Sequence, residues 1–484
     1  MKVIKIDPIT RLEGEARISI LLDDNGKVKD AFFQVMEFRG FERFCRGRPV
    51  EEMPRIVTRI CGVCPWAHHM ASGKTVDAVF GREPTETAKK IREIGYCAHM
   101  LDSHTVHFYF LAVPDLLVSP DAERGQRNVA YLGKIAPEVV KEILRQRRNI
   151  TKIETIIGGK SIHPVCNVPG GVSKGLSEEE AKEIEEYAKD TLKFLDIWLE
   201  KWEKEILTKY EDLIYSDVYH QETYYMGIVG DGNTLNFYDG DIRVVDQRGK
   251  EVFRFKPEDY LNYISERVEE WSYTKFPYLK PIGWKGLVDG PDSGIYRVGP
   301  LGRLNVIDKI STEKAQEAYK RYIEAGGKPT HFSMFYHWAR IIEMIYSCER
   351  ILELITDEDI TSKDTVNYDG DFVGEGVGVV EAPRGILYHH YKTDEKGLVE
   401  MANLIIPTTQ NNPSISLEIK KAAQKLISNG EISEGILNRI EMAFRAYDPC
   451  LACSTHSLPG GLPLIVTVYD SNGALIKEIR RGGK

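Results

Sequence analysis

Cys61-Gly62-Val63-Cys64 stands near the start of the chain and Cys450-Leu451-Ala452-Cys453 near its end. Two CxxC spacings supply what a metal bound by four thiolates needs, provided the fold closes the chain on itself and brings both ends to one point. His68 follows the first pair and His456 the second. The cysteines alone leave two other readings open, a structural zinc and two independent CxxC pairs. Gly62 and Pro65 make the first motif a turn that leads into a helix.

Working outward, residues 16–36 alternate as a hairpin through Asp23-Asp24-Asn25-Gly26. A helix is expected over about 85–112, ended by Pro114-Asp115, with His104 and His107 as buried hydrogen-bonding histidines on it. Another is expected over 121–147. Ser177 and Glu180 form a capping box that opens a long helix to about 209. Residues 220–300 change to short strands and loops, read as an inserted region. Helices resume over 311–325 and 330–357, and Ile386–Tyr391 reads as a strand. Asn412 and Pro413 read as the cap and first turn of a helix to about 428, and a last helix spans 432–446. The expected fold class is mainly α with small β additions (α+β), one body over 1–456, with both cysteine pairs where helices begin or end.

A formal charge of -9 and the lack of any long Lys/Arg run give no electrostatic reason to bind nucleic acid. The first residues lack an apolar stretch of signal-peptide length, so a cytoplasmic location is expected. Eight cysteines in 484 residues are too few for a disulfide scaffold and suit metal or redox chemistry. Cys45, Cys97, Cys166 and Cys348 are isolated and read as core thiols.

Taken together, the ordered motifs resemble the large, catalytic subunit of nickel-iron hydrogenases over essentially the whole chain. They are Arg11-Leu12-Glu13-Gly14, Phe38-Arg39-Gly40-Phe41-Glu42, Arg59-Ile60-Cys61-Gly62-Val63-Cys64 with His68, and His104 to Asp115. They continue with Gly299-Pro300-Leu301, Glu381 to Gly385, Pro407-Thr408-Thr409, and Asp448-Pro449-Cys450-Leu451-Ala452-Cys453-Ser454-Thr455-His456. The wording is that of the cytoplasmic, multisubunit groups, first the methyl-viologen-reducing type that does not use a deazaflavin. The alternative is a non-catalytic large subunit of a respiratory oxidoreductase, holding a structural metal or none. Such relatives lack the cysteine ligands, and this chain has all four.

The resemblance implies reversible, heterolytic oxidation of hydrogen at a nickel held by Cys61, Cys64, Cys450 and Cys453. Cys64 and Cys453 would be shared with an iron carrying carbon monoxide and cyanide. It implies Cys450 as first proton acceptor, Glu13 as second, Arg384 beside the iron ligands and His68 as a donor to a bridging sulfur. From residue type alone, Glu13 reads as a salt bridge with Arg11 or another basic residue, and Arg384 as an internal ion pair with Asp or Glu. Glu42 and His456 would bind magnesium.

Three positions depart from the family wording: Glu15, Gln410 and Gly302 stand where histidine, tryptophan and alanine are common. Expected partners are an iron-sulfur small subunit, an additional electron-transfer subunit, heterodisulfide reductase downstream, and a maturation endopeptidase that removes residues 457–484 after His456.

Overall fold

The computed structural model describes residues 2–7, 9–428, 431–455, 464–469 and 475–481. Four helices, Glu86–Thr105, Pro137–Gly158, Glu178–Lys201 and Phe335–Ile355, pack in a ring in which each touches two others. Local chemistry starts them. The Thr85 hydroxyl accepts from the Ala88 N–H, and the Ser177–Glu180 box closes in both directions, at 3.0 and 3.1 Å. Phe335–Ile355 is apolar around most of its circumference and is accordingly buried on nearly every side, carrying Arg340 and Glu343 into the interior with it.

Small sheets flank this helical core. Ala16–Leu22 and Val28–Val35 form the expected hairpin, and Lys2–Ile6 adds an antiparallel edge. Within 220–300, the strands Tyr224–Val229, Asp241–Val245 and Glu251–Phe255 run antiparallel, and Tyr296–Arg297 joins the first of them in parallel. A third sheet, Glu375–Ala382, Gly385–Thr393 and Val399–Ile405, lies on the helix Pro65–Val79. That contact is close enough that a Cβ on Gly376 would sit 2.6 Å from the Thr75 carbonyl oxygen, and one on Gly378 would meet the oxygen of Ala71. Among the described residues, no helix is long and apolar enough to cross a membrane.

Three expectations need correction. The stretch 121–147 is not one helix: Val129–Ile135 is capped by Asn128, and Pro137, which has no N–H to continue it, opens the separate helix Pro137–Gly158. The helix from Glu86 is α-helical only to Thr105, then widens to a π-turn over Val106–Ala112, and Pro114 sits in the first turn of Val113–Leu117 instead of ending it. The helix after the third sheet starts at Pro407, with extended Ile406 before it, and runs to Leu426 with Pro413 inside. Asn412 therefore caps nothing, and its amide donates to the Lys275 carbonyl at 3.4 Å.

Candidate metal centre

Cys64 occupies the cap position of Pro65–Val79, at the positive end of the helix dipole. The second motif arrives from the helix Glu434–Arg445 through a tight turn that holds Asp448 at φ 58, a left-handed conformation rare for a residue with a side chain. The Cys450 N–H then donates to Thr408 Oγ1 at 2.9 Å. Residues Glu13 and Gly14 run beside this motif. The Leu451 N–H donates to the Glu13 carbonyl at 3.0 Å, and Gly14, at φ 89, lies so close that a Cβ there would be 2.8 Å from Cβ of Leu451.

These arms bring all four sulfurs within 4.8 Å of one another, fully buried. Cys61 and Cys450 are 3.3 Å apart, Cys64 and Cys453 3.3 Å, and Cys450 and Cys453 3.0 Å. These separations far exceed a disulfide bond, so no such bond takes the sulfurs away from a metal. Hydrogen bonds from Cys450, Cys453 and Cys64 push the Cys61 thiol well below its ordinary range, while burial pushes Cys450 and Cys453 well above theirs. The protein alone favours a single anionic sulfur; four thiolates here call for a cation.

Glu13 Oε2 lies 3.0 Å from the Cys450 sulfur and accepts the Ala452 N–H at 3.0 Å. Burial raises its pKa, against the lowering effect of these bonds. Arg11 is engaged elsewhere, with Asp115 at 2.7 Å, so it is not the basic partner of Glu13. Arg384 does form an internal ion pair: Nε donates to the Asp448 carbonyl at 2.6 Å and Nη2 lies 3.0 Å from Asp448 Oδ2. Burial alone would lower its pKa, and Asp448 with the cluster sulfurs outweighs that, so the guanidinium stays charged. His68 Nε2 lies 3.4 Å from the Cys453 sulfur.

Beside the sulfurs is a small hollow, with room for about one water-sized group, lined by Cys64, Cys450, Cys453, His68 and Arg384, with Ala67, Pro383, Leu387 and Pro407 among its apolar walls. The hollow adjoins the sulfurs expected to be shared with iron, and the buried Arg384 Nη1 has no hydrogen-bond partner among the described residues. Soft donors, adjoining room and an uncommitted cationic donor fit a nickel-iron group with small anionic ligands.

Glu42 is half-buried and accepts the Leu404 N–H at 2.8 Å. His456 lies outside the described residues. His104 and His107 are buried, bonded to Glu343 and to the Arg445 carbonyl, each at 2.8 Å. Gln410 spans Tyr296 and the Ile386 carbonyl. Sequence reasoning assigned no task to Asp448, Thr408, His389 or Tyr391. Asp448 was legible only as a polar residue in a conspicuous motif, and the others depend on contacts between distant segments.

A family profile described as nickel-dependent hydrogenase matches residues 39–124 and 292–456, and one described as HoxL-like matches residues 3–38. The chain is 50% identical to an F420-non-reducing hydrogenase iron-sulfur subunit of Archaeoglobus profundus, over 99% of this chain and 100% of that one. It is 39% identical to the NAD-reducing hydrogenase HoxS subunit beta of Cupriavidus necator, over 98% and 99%. Among solved structures, an NAD+-reducing [NiFe]-hydrogenase in the H2-reduced state superposes with a TM-score of 0.89 at 37% identity, covering 94% of this chain and 100% of that one. With four converging thiolate donors at its centre and relatives that match it from end to end, the chain belongs to the nickel-dependent hydrogenase family.

Proposed function

We propose that this chain is the catalytic large subunit of a nickel-iron hydrogenase that oxidises molecular hydrogen reversibly. The observation that carries the reading is the convergence of Cys61, Cys64, Cys450 and Cys453 beside a hollow lined by Arg384, whose Nη1 has no hydrogen-bond partner among the described residues. The four cysteines would hold nickel, and Cys64 and Cys453 would also hold an iron bearing carbon monoxide and cyanide; Glu42 and His456 would bind magnesium. When bound, the nickel-iron group supplies the redox site at which hydrogen is cleaved heterolytically.

The protein's own task is to take the proton and keep the site dry. The Cys450 sulfur receives the proton, and Glu13, held at 3.0 Å by the Ala452 N–H, takes it onward. Arg384, tied to Asp448, keeps a fixed positive charge beside the hollow, and its unpartnered Nη1 would be available to donate to a small anionic ligand of that group. His68 donates to Cys453 and adjusts its electron density.

Electrons need an exit. Among the described residues, the four cysteines are the one group of His, Cys, Asp and Glu ligands close enough to hold a metal, which supports a separate iron-sulfur partner in the role of electron carrier. The F420-non-reducing and NAD-reducing relatives support a multisubunit enzyme. The sequence motifs suggest the methyl-viologen-reducing type, with a further electron-transfer subunit and heterodisulfide reductase downstream. Residues 457–484 would be removed after His456 by a maturation endopeptidase. Metal analysis with infrared spectroscopy tests the centre: nickel together with carbon monoxide and cyanide bands supports it, and zinc in place of nickel without these bands overturns it.

A further inference from the structure

A line of polar contacts leaves the cluster through Cys453. Beyond His68 Nε2, His68 Nδ1 lies 3.1 Å from His389 Nε2, His389 Nδ1 lies 2.6 Å from the Tyr391 hydroxyl, and that hydroxyl lies 3.0 Å from Ser72 Oγ. All four side chains are buried. The arrangement follows from two matched periodicities. His68 and Ser72 are one turn apart on Pro65–Val79, while His389 and Tyr391 are alternate residues on one face of Gly385–Thr393. Thr75 Oγ1, one turn further along, donates to the His389 carbonyl at 3.1 Å and ties helix to strand.

The bond directions are not independent. A thiolate held by a metal only accepts, so His68 must carry its proton on Nε2. A neutral imidazole has one N–H, so His68 Nδ1 accepts from His389 Nε2, and His389 Nδ1 accepts in turn from the Tyr391 hydroxyl. Tyr391 has a single proton, and the shorter contact, 2.6 Å to His389 Nδ1 against 3.0 Å to Ser72 Oγ, takes it.

We propose that His389 and Tyr391 are positioning residues that lock the tautomer of His68 and so keep an N–H aimed at Cys453. A donated hydrogen bond draws electron density from a metal thiolate and raises the potential of the centre. The inference rests on the nickel-iron reading above.

The test uses the assembled enzyme with its partner subunits and metal, comparing wild type with Tyr391→Phe, His389→Gln and, as a neighbour on the opposite strand face, His390→Asn. His390 bonds Tyr260 and Glu375 at 3.0 and 2.9 Å and takes no part in the line. Tyr391→Phe and His389→Gln should retain nickel and iron yet move the carbon monoxide and cyanide bands to lower wavenumber and lower the midpoint potential. His390→Asn should move neither. Wild-type bands and potential in both relay variants, with metal retained, overturn the proposal. A wild-type enzyme without nickel, iron or these bands shows instead that the nickel-iron reading has failed, and the proposal falls with it. If the variants fail to load metal, solid-state ¹⁵N spectra of the histidine-labelled wild-type enzyme decide: Nε2–H on both His68 and His389 supports the relay, and Nδ1–H on either overturns it.

Discussion

Glu13 and Cys450, 437 positions apart, sit side by side as a parallel β-bridge, and the carboxylate of one lies 3.0 Å from the sulfur of the other. Backbone pairing fixes the approach, and the Ala452 N–H fixes the oxygen that faces the sulfur. Glu13→Gln keeps the shape and removes the proton acceptor. It should leave nickel and iron content unchanged and slow hydrogen/deuterium exchange by about 100-fold or more; exchange at the wild-type rate would remove Glu13 from the proton route.

Arg384→Lys keeps a charge but loses the planar fork that reaches Asp448 with two nitrogens while leaving Nη1 without a partner among the described residues. Turnover should fall about 100-fold with metal retained. A lysine enzyme with full turnover would show that charge alone suffices.

Arg303 bonds both oxygens of Glu343, at 2.6 and 2.7 Å, and Oε2 of Glu381 at 2.7 Å, with all three side chains fully buried. It also donates to the Ala382 carbonyl at 2.8 Å, bracing the turn that presents Arg384. Arg303→Met strands two buried carboxylates and should cost about 3–5 kcal/mol in urea unfolding. A midpoint equal to wild type would mean that the network is dispensable.

His69, His99 and His104 are fully buried, and burial lowers their pKa values from 6.5 to about 4, 3 and 4. Burial keeps the His69 ring neutral against the Pro54 carbonyl, which faces Nδ1 at 2.8 Å, and Nε2 is already taken as the acceptor of the Asn167 N–H at 3.0 Å. Below pH 6.5 the unfolded chain binds these protons first, so stability falls with pH by up to about 1.4 kcal/mol per histidine per unit, down to about pH 4. Glu381, which burial raises to about 7, acts in the opposite sense between 4.5 and 7, as do other buried carboxyls such as Glu154 and Glu418, so the histidine share is read by replacement. Relative to wild type, His69→Gln should gain urea midpoint on going from pH 7 to pH 5; an unchanged pH dependence contradicts the assignment.

The intact mass of purified active enzyme should correspond to a chain that ends at His456. Active enzyme still carrying residues 457–484 would count against removal of the tail.

Much of this architecture was readable beforehand because its signals are local. The Ser177–Glu180 box, the hairpin at residues 16–36 and the apolar helices each depend on neighbours a few positions away. The errors came where local signals conflict: Pro413 looks like a helix start, yet Pro407 already supplies one six residues earlier. At the site, residue types and motif order pointed to four thiolate donors, and with the resemblance to Glu13, Arg384 and His68.

The sequence by itself therefore determined the donor set and the class of chemistry, because thiolate pairs and their flanking motifs are properties of short segments. Only the tertiary structure decided that the sulfurs meet within 4.8 Å, that Arg384 pairs with Asp448, and that His68 is backed by His389 and Tyr391. Those contacts join segments tens to hundreds of residues apart. Their geometry is set by helix and strand packing around a shared core, which no local pattern encodes.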